Sequence, residues 1–569
     1  MVYYLDMPSI VGKKQGNKTY YYLVESARVG GKPRIVSQRY LGPADEIVAR
    51  LSQTGPGEPD RTRHLAFGDV AAVWAILERL QVAEIVDEVV GARRADAACS
   101  VGTYMALAIA NRVVDPCSKR AFSEWWAKTA GDRLVRLPAA ALDHRRFWEA
   151  MDAISETALV EIERRVVARM VAAFEVDLSG LVLDMTNFAT YIDSANERAP
   201  IAQRGHAKQK RRDLRLVGLG LVVSVDGAIP LVSHPYGGDR PDVTQFGHVV
   251  EELAARFSSL AADVGQLTLV FDAGQNSADN IDLFADSPLH FVGSLPPSDH
   301  PDLLAVSTDD YRPVDKQRFP GLTAFETRKV VFGVQRRIIV THSQNLHDKQ
   351  SRGFDQTLAK ARRQLGELAA RLGRGKGRKP RDKVEAEIAE ILKPRWVARV
   401  ISTTLTGDTP ADLRLTWRTK PAARAAFEDE LFGKRILFTD KDRAPKAVIV
   451  ADYRSQSQVE GDFRQMKDPH VVSFSPMFHW TDHKIRVHVF YCVLALTVAR
   501  LMVREADRHG LHMSVRELLG TLAEIQETVL LYQGERGRPR ARRMLTEIDP
   551  TARRLYDIFG LASYAPTQP

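Results

Sequence analysis

Between Leu65 and Phe174 apolar residues recur at i, i+3 and i+4, in runs such as Ala71 to Leu80, Val101 to Val114, Ser123 to Trp126 and Arg145 to Ile154. That period marks helices with one buried face, so the spacing predicts a packed helical domain over residues 65–174. Elsewhere the pattern turns strand-like. Thr19 to Ser26 and Arg34 to Tyr40 flank Gly30-Gly31-Lys32-Pro33, a hairpin pattern within a basic region at residues 1–60. After Ser179 come Gly180 to Asp184, Leu214 to Val225, Gly227 to Pro235 and Leu267 to Asp272, with one helical stretch from Val243 to Leu260. These predict a mixed α/β sheet flanked by helices, its first part covering residues 175–300.

From residue 301 to 445 simple alternation fails. Val330 to Thr341 and Leu413 to Thr419 read as strands, Leu358 to Leu372 and Val384 to Leu392 as helices, with the basic link Gly373 to Arg381 between them. The segment is expected to be an insertion domain, after which residues 446–505 return to the core. His483 to Arg508 and Val515 to Tyr532 read as helices, and residues 506–569 as C-terminal helices with a basic tail. Gly55 to Arg63 reads as a linker.

Charge changes the picture. Lys and Arg number 80 against 71 Asp and Glu, a formal net charge of +9, which favours a polyanionic partner. Lys208, Lys210, Arg211 and Arg212 fall in the densest cluster, Arg204 to Arg215, between two strand-like runs, where a phosphate backbone can pass. Cys99, Cys117 and Cys492 form no CxxC pair, which speaks against a zinc cluster or disulfide framework and for a reducing cytoplasm. Met-Val-Tyr-Tyr-Leu-Asp at the start is not a secretory leader. The apolar run Val487 to Val503 is broken by His488 and Arg500, so a buried core helix is expected there, not a membrane span.

Candidate chemistry gathers around Tyr453 to Lys467. Wound as one helix, Tyr453, Gln456, Glu460, Arg464 and Lys467 share an arc of roughly 80°, while Val459, Phe463 and Met466 form an adjacent apolar stripe. A solvated amphipathic helix with i,i+4 pairing accounts for the same pattern. Asp184 and Asp272 each close a strand-like run, where a turn or helix cap is the ordinary role of an aspartate. Taken together, two aspartates at strand ends and a helical glutamate are hard oxygen ligands of the kind Mg²⁺ or Mn²⁺ prefers. Two such ions about 4 Å apart serve in-line displacement at phosphorus, with Arg464 and Lys467 as phosphate clamps. There is no Gly-rich phosphate loop and no HExxH spacing.

The Tyr453, Glu460, Lys467 spacing resembles the Tyr-Arg-Glu-Lys signature of bacterial insertion-sequence transposases, the DDE enzymes of the superfamily founded on insertion sequence four. Asp184-Met185-Thr186 is similar to that group's Asp-x-Thr, and Asp272-Ala273-Gly274 followed by Ser277 to its second-acid segment. The resemblance implies a ribonuclease-H-like fold interrupted by an insertion before the glutamate. It implies two-metal catalysis by Asp184, Asp272 and Glu460, with Tyr453 and Lys467 on transposon-end phosphates. It further implies double-stranded DNA as partner, both element ends and target, in a synaptic homodimer that cleaves and transfers strands. Gln456 stands where the signature has Arg, with Arg454 or Arg464 as partial replacements. Two other readings stay open: a DNA-binding descendant without catalysis, and a carboxylate-pair hydrolase, which leaves the basic clusters unexplained. Trp396 and Trp417 fit core packing better than a flipped base.

Overall fold

The computed structural model describes residues 8–29, 31–52, 58–91, 97, 99–193, 195–206, 208, 213–260, 267–285, 287–374, 379–532 and 540–567. Three strands open the chain, β1 (Ser9–Gln15), β2 (Lys18–Val29) and β3 (Lys32–Pro43), in one antiparallel sheet. The alternation of apolar residues marks only the last two of them. The helix Ala44–Ser52 packs against β2 and β3. Part of the expected linker is itself a strand, β4 (Arg61–Ala66), so the helical block begins at Gly68 rather than Leu65.

That block comprises Gly68–Arg79, Val82–Val90, Val101–Val114, Phe122–Trp126, His144–Asp152 and Glu156–Phe174. Three of its starts are written in the sequence as caps: Ser100 accepts from the Thr103 N–H, Asp143 from Arg145 and Ser155 from Ala158. Each satisfies a helical donor that has no partner within its own helix.

Next come β5 (Gly180–Thr190), β6 (Arg215–Ser224), β7 (Pro230–Gly237), the helix Asp242–Leu260, β8 (Thr268–Val270) and β9 (His290–Leu295). They lie side by side in the order β7-β6-β5-β8-β9, and only β6 runs against the others. This large mixed sheet flanked by helices is compatible with a ribonuclease-H-like core. The parallel centre, β5 with β8 and β9, is covered on both faces, which is why Leu181, Val182, Leu183, Leu269, Val270, Phe291 and Val292 form continuous apolar runs and are buried.

The segment expected as an insertion adds to the same sheet. β10 (Arg312–Pro313), β11 (Leu322–Val331), β12 (Val334–Ser343) and, after a helical excursion, β15 (Lys434–Thr439) extend it beyond β9 to nine strands. Val330 to Thr341 is therefore not one strand. Phe332 and Gly333 turn the chain with φ of +50° and +76°, values that glycine adopts freely and that close a tight hairpin. The excursion holds the helices Gln344–Gly373 and Arg381–Leu392 and the ribbon of β13 (Ile401–Thr406) with β14 (Arg414–Thr419). Trp396 and Trp417 are packed against the hydrophobic core, Trp396 with its ring 5.2 Å from Phe427, so neither is presented for base stacking.

The helix Asp482–Arg508 ties the halves together, packing on Gly68–Arg79, Val101–Val114 and β7. It is long and apolar enough to cross a bilayer, yet 89% of its most apolar window is buried inside the protein. Val515 to Tyr532 departs from expectation: the helix stops at Ala523, and Gln526–Tyr532 forms β16, paired with β4 on one side and β17 (Arg540–Leu545) on the other. The apolar run Val529 to Tyr532 fits either period, and pairing decides it.

Candidate active site

The register of the sheet centre places the two aspartates. β5 and β8 pair in parallel as Gly180 with Thr268, Leu181 with Leu269 and Val182 with Val270. Asp184 and Asp272 therefore each lie two residues past the last paired position, level with one another on neighbouring strands about 4.8 Å apart. Asp184 is not a strand end, as the sequence suggested. β5 continues to Thr190 on its β6 edge, and what ends at Val182 is pairing with β8. Asp272 does cap a short 3₁₀ turn, accepting from the Ala273 N–H at 2.7 Å. It also accepts a hydrogen bond from Ser294 Oγ at 3.0 Å, and Ser294 occupies the matching level on β9.

Glu460 comes from above. Instead of one helix over Tyr453 to Lys467 there are two, Lys446–Arg454 and Gln456–Met466, parted at Ser455. The break turns the five expected residues apart. Tyr453 and Gln456 are buried, Glu460 and Arg464 exposed, and Lys467 half-buried. The second helix seats Val459, Phe463 and Met466 in the core and packs across β5. Tyr453 faces down from the first, hydrogen-bonded to Ser294, and the charges of Asp272 and Glu460 both act on its hydroxyl.

On β5 the residues that alternate with Asp184 share its face of the strand. Thr186 Oγ1 is 2.8 Å from Lys467 Nζ, and Phe188 lies beneath the same ammonium at 5.4 Å while stacking on Phe474. Lys208 donates to the Met185 carbonyl and pairs with Asp242 at 3.0 Å. Asp242 in turn accepts from Tyr236 at 2.6 Å, whose ring crosses β6 where Gly218 leaves room for it. Arg464 sits one turn beyond Glu460 and, among the described residues, reaches only that residue's carbonyl, at 3.4 Å. Lys210, Arg211 and Arg212 lie outside the described residues.

Electrostatics show that the acids share a neighbourhood. Burial pushes the Asp184 carboxyl up to about 6, Lys208 opposes this, and the charges of Asp272 and Glu460 raise it further. Burial lowers the Lys467 ammonium, assisted by Lys208 and opposed by Asp184. Among the described residues no three acids, histidines or cysteines stand close enough to form a finished metal cage. The donor set still fits a hard divalent cation: carboxylate oxygens only, with mutual repulsion that such an ion relieves. Asp272 and Glu460 are exposed, and Asp184 is the half-buried member.

A stability consequence follows from the raised carboxyl. Below pH 3.8 Asp184 is protonated whether the chain is folded or not. Between there and pH 6 the unfolded chain ionises first, so the native state loses stability, and above pH 6 the loss levels off at about 3 kcal/mol. Asp184→Asn should remove that loss. Its thermal unfolding should match wild type at pH 3, exceed it increasingly up to pH 6 and stay above it by a constant margin beyond.

No protein-family model matches the chain, and no curated protein matches it in sequence. Among solved structures it is similar to a "Cryo-EM structure of piggyBac transposase synaptic complex with hairpin DNA", at 9% identity over 82% of each chain with a TM-score of 0.38.

Several of these were not singled out in the sequence. Ser294, joining Asp272 to Tyr453, is readable only once β9 is in register with β8. Arg435 lies 5.5 Å over the Tyr453 ring. With Lys349 and Arg454 it lines a cleft of about 310 Å³ that Tyr453 closes. Burial and then the adjacent Arg435 charge lower the Arg454 guanidinium. Two unneutralised guanidinium groups held together suit a polyanion.

Proposed function

We propose that the protein is a DDE-type transposase, cutting and joining DNA strands at the inverted repeats that end its own element. The reading is supported above all by the level placement of Asp184 and Asp272 on adjacent parallel strands, with Glu460 on a helix packed across the first of them. Asp184, Asp272 and Glu460 would hold Mg²⁺ or Mn²⁺, two ions in all, whose chemistry is to activate an attacking oxygen and stabilise the leaving one at phosphorus.

The remaining residues grip the backbone. Lys467, aimed by Thr186 and Phe188, supplies a cation beside Asp184. Tyr453, Arg435 and Arg454 form a second phosphate contact on the Asp272 side, doing the work for which Gln456, buried at its helix start, has neither charge nor exposure. Lys208 extends the contact along the duplex. Two copies are expected to join two ends in one complex.

The test is nicking of a supercoiled plasmid that carries the DNA flanking the gene. Nicked product should appear with Mg²⁺ or Mn²⁺ and disappear with EDTA. Cleavage indifferent to EDTA sinks the proposal. Tight end binding with no cleavage under any metal identifies the non-catalytic descendant instead.

A further inference from the structure

At the far end of β5, away from the carboxylates, lies a cavity of about 460 Å³ between the helical block and the segment that follows the glutamate helix. Its chemistry is divided. Trp148, Phe478 and Trp480 supply aromatic surface, and Lys119, Arg120 and Lys484 supply charge. No carboxylate lines it among the described residues; Asp152 reaches only Lys484, at 3.0 Å.

Lys119 is the unexplained group. It is 7% exposed, and its Nζ has no hydrogen-bond partner. It rests 4.5 Å over the Tyr491 ring and 5.3 Å over Phe147. Beside it Arg112, 1% exposed, donates to the carbonyls of Ser475 and Cys117 at 2.8 Å each, and its Nε is also unpartnered. Two buried cations whose neighbours are rings, carbonyls and the Tyr491 hydroxyl are costly to hold. Burial, then Arg112, brings the Lys119 ammonium down to about 7. An anion delivered into the cavity removes that cost.

The aromatic walls say what the anion is attached to. Phe478 and Trp480 are 59% and 52% exposed, and the surface continues outward through Tyr191, its ring 6.2 Å from Phe478, and Arg198, 4.7 Å over Trp480. We propose that this cavity is a nucleotide site, taking an unpaired base on Trp148, Phe478 and Trp480 and its phosphate at Lys119. The outward run of aromatic and cationic surface fits a nucleotide within a single strand better than a free one.

The proposal does not depend on strand cleavage, so it is tested in EDTA with the full-length Asp184→Asn protein. Tryptophan fluorescence titrations use inorganic phosphate, thymidine monophosphate and a ten-residue oligothymidylate. The oligonucleotide should bind at least tenfold tighter than the mononucleotide, and phosphate more weakly than either. Equal binding of the two nucleotides supports the same chemistry with a free nucleotide as its source. Phosphate binding as tightly as the mononucleotide, or no binding by any probe, overturns the proposal.

Lys119→Met should raise the melting temperature, since it removes an unpaired buried charge, and should weaken oligonucleotide binding at least tenfold. Trp480→Ala, at an exposed ring, should leave the melting temperature unchanged and weaken binding similarly. Undiminished binding by both variants also overturns it.

Discussion

Replacing any one of the three acids should reduce metal-dependent nicking by at least ~10³-fold, equivalent to about 4 kcal/mol of barrier, while binding to element ends changes little. Asp184→Asn, Asp272→Asn and Glu460→Gln reach that result by different routes. Asp184 is partly buried between Lys208 and the other carboxylates, so its amide leaves the strand in place and even stabilises it. Asp272 also caps the turn at Ala273; an asparagine retains a cap acceptor, which separates the chemical loss from a structural one. Glu460 is exposed and makes no core contact through its carboxylate, so Glu460→Gln tests ligation alone. End binding is measured by gel shift in EDTA for each. If Glu460→Gln cleaves like wild type, the glutamate helix has no part in catalysis. If all three lose end binding in parallel with cleavage, the acids shape the DNA surface and the catalytic assignment fails.

The centre of this site was legible because its strands are buried on both faces. Gly180 to Leu183 stands out as an unbroken apolar run and Leu267 to Phe271 as one interrupted only by Thr268, and a single acid after such a run is conspicuous. What was not legible depends on partners far away in sequence. The break at Ser455 carries no Gly or Pro to announce it; the Ser455 N–H bonds to both the Ala451 and Asp452 carbonyls, and the burial of Tyr453 against Ser294 and Arg435 decides where each helix points. Helical arithmetic over Tyr453 to Lys467 thus put on one face residues that the break at Ser455 turns apart. The hairpin at Phe332-Gly333 was hidden because its turn lacks the usual Asn or Asp. The strand β16 was hidden because nothing between Ala523 and Gln526 breaks a helix; β4, more than four hundred residues earlier, supplies the pairing that does. Arg435 and Arg454 come together only through β15 and the helix that follows it, so neither spacing nor charge density marks them as a pair.

Asp462 and Arg500 tie the helix that carries Glu460 to the long core helix. Asp462 is fully buried, two residues after Glu460, and its Oδ1 accepts from Arg500 Nε on the long core helix. Its other oxygen has no partner. Burial pushes this carboxyl up to about 7 even with Arg500 holding it down, so the pair is a fragile one. Arg500→Leu should therefore cost about 3 kcal/mol of stability at pH 8, because a buried carboxylate is left without its cation. Protonation of Asp462 removes the charge, so the difference from wild type should shrink as the pH falls from 8 toward 5. Nicking should fall along with stability, since the helix that carries Glu460 loses its anchor, while end binding through Lys208, Arg435 and Arg454 persists. The double variant Asp462→Leu, Arg500→Leu fills the same space without charge and should recover most of the stability. Its nicking then discriminates: recovery shows that the pair only anchors the helix, and continued loss shows that the pair aims Glu460. A single Arg500→Leu variant as stable as wild type at pH 8 defeats this account of how the glutamate is held.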